Sequence, residues 1–145
     1  MEKTIIKVGA QVKATDALVW KHFTEPEHIK RWNKATEEWH TPRAQNDLKV
    51  GGRFVYRMEA KDGSMGFDFA GEYTKLENHS LIEYRLDDGR SVIVQFEPAG
   101  EHTLVTEYFE ADDQSSEDIQ RAGWQAILDN FKAYTESFHG GDSPY

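Results

Sequence analysis

The chain contains no cysteine, which removes disulfides, thiolate zinc sites and a cysteine nucleophile together and accords with a reducing compartment. It also lacks any long apolar run. The start, MEKTIIKVGAQVKAT, has no signal-peptide core, and no later stretch reaches bilayer-spanning length. A soluble, cytoplasmic protein with no membrane partner is the expectation. Basic residues are outnumbered, 17 against 26 acidic ones, giving a formal net charge of −9. No basic stretch interleaves with aromatics, so no nucleic-acid partner is expected, because such binding rests on Lys and Arg neutralising phosphates. Neither a P-loop nor a dinucleotide fingerprint occurs, and Gly51-Gly52 is too short for either. No nucleophile elbow surrounds a serine, and no histidines stand at metal-ligand spacing. No metal, cofactor or catalytic residue is predicted.

Aromatic residues are what the chain does have: four Trp, six Tyr and eight Phe, 12% of its 145 residues. Apolar bulk is concentrated in large rings, which suit a cavity wall as well as a packed core. The length fits one domain, predicted over residues 1–139, with 140–145 (GDSPY and the glycine before it) a disordered tail. Thr4 to Lys13 alternates as a half-buried strand, with Ile6, Val8, Ala10 and Val12 on its inner face. Thr15 or Asp16 then caps a short helix carrying Leu18, Val19, Trp20 and Phe23. Thr24-Glu25-Pro26-Glu27 reads as a second helix start, with Thr24 as cap. Glu37 to Asn46 has strand character in Trp39 and Thr41, and Pro42 points to an edge or a bulge.

From about Gly52 to Phe109 short alternating strands follow, with hairpin signals at Asp62-Gly63 and Asp88-Gly89. From Ser116 to Phe138 the period changes. Ile119, Gly123, Ala126, Ile127, Asn130, Phe131, Tyr134 and Phe138 recur at helical steps, capped by Ser115 or Ser116, and Trp124 and Leu128 widen the stripe. Consecutive hairpins imply an antiparallel meander, and the last helix must cover one of its faces. The fold class is therefore α+β.

Several motifs fall in a familiar order: Val19-Trp20, Thr24-Glu25-Pro26-Glu27, Arg31-Trp32, Asp47 through Phe54 (DLKVGGRF), Asp62-Gly63, Gly71-Glu72-Tyr73 and Gly123-Trp124. With them the chain resembles the activator-of-heat-shock-ATPase-like branch of the START and birch-pollen-allergen superfamily, over nearly its whole length. The resemblance implies a helix-grip fold: a curved antiparallel sheet wrapped around a long C-terminal helix, with two short helices after the first strand. It also implies a cavity between sheet and helix. Known relatives include small-molecule binders, polyketide aromatases and cyclases, and a co-chaperone domain, so the fold leaves function open.

The favoured expectation is a binding protein for a small, largely apolar or aromatic molecule, acting as monomer or homodimer. An aromatase- or cyclase-like enzyme and a co-chaperone-like interaction module are the alternatives, although no residue pattern singles out a chaperone partner. The expected ligand wall is Trp32, Phe54, Tyr56, Met58, Phe67, Phe69, Tyr84, Phe96, Trp124 and Leu128. For any one of these, filling a core is the commoner role; the pocket rests on their sum. Two polar candidates stand beside them. His40 is either a ligand-orienting base near a cavity or a surface histidine on an edge strand. Glu107 is inward if Val105 and Phe109 face the core, and solvated if Leu104, Thr106 and Tyr108 do.

Overall fold

The computed structural model describes residues 4–138; the tail expected to be disordered lies outside them. Among the described residues the order is β1 (Ile5–Val12), α1 (Asp16–Thr24), α2 (Pro26–Trp32), β2 (Trp39–Asn46), β3 (Arg53–Ala60), β4 (Gly66–Glu77), β5 (Leu81–Leu86), β6 (Ser91–Ala99), β7 (His102–Glu110) and α3 (Glu117–Glu136). The strands form one antiparallel sheet in the order β1-β7-β6-β5-β4-β3-β2. The sheet curls around α3, and the two short helices follow the first strand, so the fold is the α+β helix grip. None of the described helices is long and apolar enough to cross a membrane.

The inner face follows the alternation. Ile6, Val8, Val12, Phe54, Tyr73, Ile82, Tyr84, Leu86, Val92, Val94, Phe96, Val105 and Phe109 are buried. Gly71 sits on this face where an added Cβ would lie 2.5 Å from the Arg85 carbonyl and 3.0 Å from the Phe54 ring. Only glycine lets β4 pass that closely under the ring. Gly89, with φ 96°, makes the tight β5–β6 turn.

The two sheet edges are handled differently. Along β1, α3 supplies polar side chains to exposed backbone: Gln125 Nε2 donates to the Gly9 carbonyl (2.9 Å), Lys132 Nζ to the Gln11 carbonyl (2.8 Å), and Glu136 accepts from the Lys13 amide (2.8 Å). A strand edge that could template another chain is thereby covered. At the far edge, β2 carries Pro42 within a register shift between His40 and Arg43, so both readings of that proline hold.

The helix ends refine the sequence reading. Thr15 caps α1 through Oγ1, accepting from the Leu18 amide, and Ser116 caps α3 through the Ile119 amide. Thr24 does not cap α2. Its hydroxyl turns back to the Trp20 carbonyl at 2.8 Å, and Glu25 takes the N-cap position without a side-chain bond. In α3 the buried line is Gln120, Leu128, Phe131 and Thr135, and Ile119 is exposed. Gln120 is inside because its amide bonds the Asp112 amide and carbonyl and the Ser115 carbonyl, tying the preceding loop to the helix. Hydrophobic counting assigns that position to Ile119; the loop's hydrogen bonds assign it to Gln120.

Candidate functional site

The core is closed at one end of α3 and open at the other. At the C-terminal end Phe131 meets Trp32 edge-on (5.0 Å between centroids) and Phe23 (5.3 Å), while Phe23 stacks on Trp32 at 5.4 Å and meets Phe96 at 5.4 Å. Trp32 Nε1 donates to the His22 carbonyl at 2.9 Å, satisfying the indole inside this layer. His22 lies against His28 (4.2 Å between rings), and its Nδ1 is hydrogen-bonded with Thr135 Oγ1 at 3.1 Å. His28 Nδ1 lies 2.6 Å from the Tyr134 hydroxyl. Burial, then the neighbouring His28 and Lys21 charges, lower His22 to about 4, so its ring is neutral at physiological pH.

Toward the N-terminal half of α3 the inner face parts from the helix around a hollow of about 300 Å³. β3 contributes Phe54, Tyr56 and Met58, β4 contributes Phe67, Phe69 and Tyr73, and β5 contributes Ile82 and Tyr84. Trp124 and Ile127 close it from α3, with Phe23, Thr24, Trp32 and Asn33 below. Trp124 lies flat on Phe109, 3.9 Å apart with 9° between planes, and takes Phe69 on its edge at 6.0 Å. Phe67 is 47% exposed and touches Trp39 edge-on, marking the rim.

Polar groups in the wall belong to two sets. Tyr73 donates to Asn46 Oδ1 (2.5 Å) and Asn46 Nδ2 to the Thr24 carbonyl (2.6 Å), while Tyr56 bonds to Tyr73. Burial pushes the Tyr73 phenol up to about 12 and also raises those of Tyr56 and Tyr84 well above the ordinary tyrosine range. The second set is Glu107, Tyr84, Arg90 and Asp112. Arg90 is engaged by Asp88 at 2.9 Å and lies 3.7 Å from Asp112.

Glu107 faces inward. The inner face of β7 is Thr103, Val105, Glu107 and Phe109, and the partners beside Glu107 in the sheet are Val8 on β1 and Val94 on β6. The residue is 8% exposed, and among the described residues its carboxyl has neither a hydrogen-bond partner nor a counter-charge. Burial alone pushes it up to about 8, so at neutral pH it is predominantly the uncharged acid.

Of the ten residues expected in a ligand wall, Trp32, Phe54, Tyr56, Met58, Phe67, Phe69, Tyr84 and Trp124 line the hollow. Phe96 and Leu128 do not. Phe96 packs behind it against Trp20 and Phe23, and Leu128 is enclosed in the core. His40 stands on the β2 edge, 43% exposed at its side chain and 3.9 Å from Glu59, away from Glu107 and outside the wall. Tyr73, Phe23 and Ile127 join the wall beyond the expected set. Tyr73 shares the face of Phe69 and Gly71, so alternation points to it. Arg90, Asp112 and Asn33 come from turns, where no periodicity shows which way a side chain reaches.

The sequence profile of the family described as Activator of Hsp90 ATPase homolog 1-like protein matches residues 13–136. No curated protein matches the chain. Among solved structures, the AHSA1-like protein from Aeromonas hydrophila is 42% identical, with TM-score 0.88 over 98% of this chain and 97% of its own. A Cytophaga hutchinsonii protein solved in solution is 47% identical, with TM-score 0.78 over 93% and 92%. A Chromobacterium violaceum protein, 20% identical with TM-score 0.81 over 91% and 96%, shares the fold. The match covers most of the chain, and the protein belongs to the Activator of Hsp90 ATPase homolog 1-like family.

Proposed function

We propose that the protein binds a small, largely apolar or aromatic molecule in the hollow between the sheet and the N-terminal half of α3, and that it does so in the cytoplasm. The observation that carries this reading is the hollow itself. About 300 Å³ lies among rings that would otherwise close on one another, since protein interiors pack to crystal-like density and collapse onto voids where they can. The family's fold, known for ligand binding, supports the same reading. Trp32, Phe54, Tyr56, Met58, Phe67, Phe69, Tyr84 and Trp124 are the proposed contacts, joined by Phe23 and Tyr73.

An enzyme of the cyclase kind needs a reacting group placed on the ligand, and Glu107 is the wall residue able to move a proton near neutral pH. The interaction-module reading finds support in Met65 and Phe67, exposed by 64% and 47% near the rim. The hollow favours a binder or an enzyme over an interaction module, and the binder is the reading we propose. Native mass spectrometry of the purified protein tests this, with an apolar fluorophore titrated alongside. A copurified small molecule, or saturable fluorophore binding lost in Tyr84→Trp, is expected. A protein that emerges empty and takes up no apolar probe would refute it.

A further inference from the structure

We infer, on the strength of the ligand-binding reading above, that the molecule bound in the hollow bears a basic nitrogen on its apolar body. This nitrogen, as an ammonium, pairs with Glu107.

Glu107 is a carboxyl for which the fold supplies no partner among the described residues. Its neighbours across the sheet are Val8 and Val94, and its neighbours along the inner face of β7 are Val105 and Phe109. α3 presents Trp124 and Ile127 to the hollow, neither of them charged. β5 presents Tyr84, a neutral phenol whose hydroxyl has no hydrogen bond among the described residues. The one nearby cation among them, Arg90, is already engaged by Asp88 and Asp112 and donates to the Glu110 carbonyl at 3.5 Å. A buried carboxyl left in this way costs stability. Nothing structural requires it, because Val8 and Val94 show that an apolar side chain fits the same layer.

Three kinds of ligand could meet it. An anion would face a like charge. A neutral acceptor such as a carbonyl would need only a donor, which Tyr84 already provides without a carboxyl. A cation uses what a carboxyl alone brings, the capacity to become negative. The remaining wall suits the cation as well, since it is rich in aromatic rings, whose faces attract positive and repel negative charge. The chain's net charge of −9 draws cations to the surface and disfavours anions.

In the ligand-free protein, burial keeps the carboxyl protonated at neutral pH. When an ammonium enters, Glu107 releases its proton to solvent. The ammonium N–H groups then donate to the carboxylate, and no bond in the ligand is broken. Ionising the acid at neutral pH offsets part of the ion pair and leaves the remainder as selectivity.

Isothermal titration at neutral pH tests this with naphthylethylamine, naphthylethanol and naphthylacetate, in two buffers of different ionisation heat. The wild-type protein should bind the amine about tenfold or more tighter than the alcohol, with the acetate weakest, and should release about one proton per amine bound. Glu107→Gln keeps the shape and a hydrogen-bond donor but cannot become an anion. It should bind the alcohol as before, lose the preference for the amine, and release no proton. Equal affinity of the wild type for amine and alcohol, or a preference that survives Glu107→Gln, would overturn the ammonium pairing and leave the ligand site standing. Failure of all three probes to bind the wild type would overturn both.

Discussion

The two halves of α3 do opposite things with the same kinds of residue. At the C-terminal half, Phe131 closes on Phe23 and Trp32, and the buried titratable group beside them, His22, lies against the tilted His28 ring and is bonded to Thr135. At the N-terminal half, Trp124 is backed by Phe109 but opens on the hollow, and the buried titratable group there, Glu107, has no partner among the described residues. Both groups are uncharged at neutral pH because burial penalises charge, which lowers the imidazole and raises the carboxyl. The difference lies in what surrounds them. His22 contributes to packing, whereas Glu107 adds a cost to the fold and lines the hollow. In the ligand-binding reading proposed above, a carboxyl in that position serves the bound molecule rather than stability.

The contrast breaks most visibly in paired truncations. Phe131→Ala removes a ring with no exposure and contacts on several sides, and should cost about 3–5 kcal/mol. Trp124→Ala removes a larger ring that already has one side on the hollow, and should cost less, about 2–3 kcal/mol. Denaturant melts measure both; equal losses would mean that the hollow is closed in solution.

Next comes Glu107→Gln, which should stabilise the ligand-free protein. A glutamate ordinarily at 4.5 is raised to about 8 in the fold, so the folded state holds its proton more tightly. Its penalty is absent below about pH 4.5, grows as pH rises and is complete above about pH 8. At pH 7 the substitution should add about 2–3 kcal/mol, discounted for water reaching the hollow. Chemical denaturation of both proteins at that pH checks it, and an unchanged or lower midpoint would show that the carboxyl is solvated.

A pH series sharpens the comparison further. His22, lowered from 6.5 to about 4, contributes stability that is complete above pH 6.5 and is lost as pH falls through about 4. Glu107 acts in the opposite sense as pH rises from 4.5 to 8. Between pH 4.5 and 6.5 the two slopes offset each other in the wild type. In Glu107→Gln the melting temperature should therefore rise more steeply from pH 4 to 6.5 and then level off. The smallest effect belongs to His40→Ala. On an open edge, with Glu59 at 3.9 Å, it should shift stability by less than about 0.5 kcal/mol and leave probe affinity unchanged. A loss of affinity there would move the site toward the β2 edge.

Much of the fold and part of the site are legible in the order of residues alone. Period two from Gly52 to Phe109 and period 3.6 after Ser116 reflect the geometry of strand and helix themselves, so element type, order and the inward set Phe54, Tyr56, Phe69, Tyr84 and Trp124 follow from local pattern. Asp-Gly at 62–63 and 88–89 places two hairpins, because glycine tolerates the backbone such turns demand. The absence of cysteine, of a nucleotide loop and of clustered histidines narrows the chemistry, and the motifs from Val19 to Trp124 carry the family.

Tertiary structure decided what pattern leaves ambiguous. β7 is apolar enough on both faces that alternation could not orient Glu107; pairing with Val8 and Val94 did, because a strand's inner face is set by its neighbours. Gln120 displaced Ile119 because a loop's backbone needed its amide. Phe96 and Leu128 share the periodicity of the wall residues, yet lie where sheet, α1 and α3 close together, and Trp124 lies where they part. Which ring fills a core and which borders a hollow depends on the distance between elements, and no residue carries that distance in its own identity.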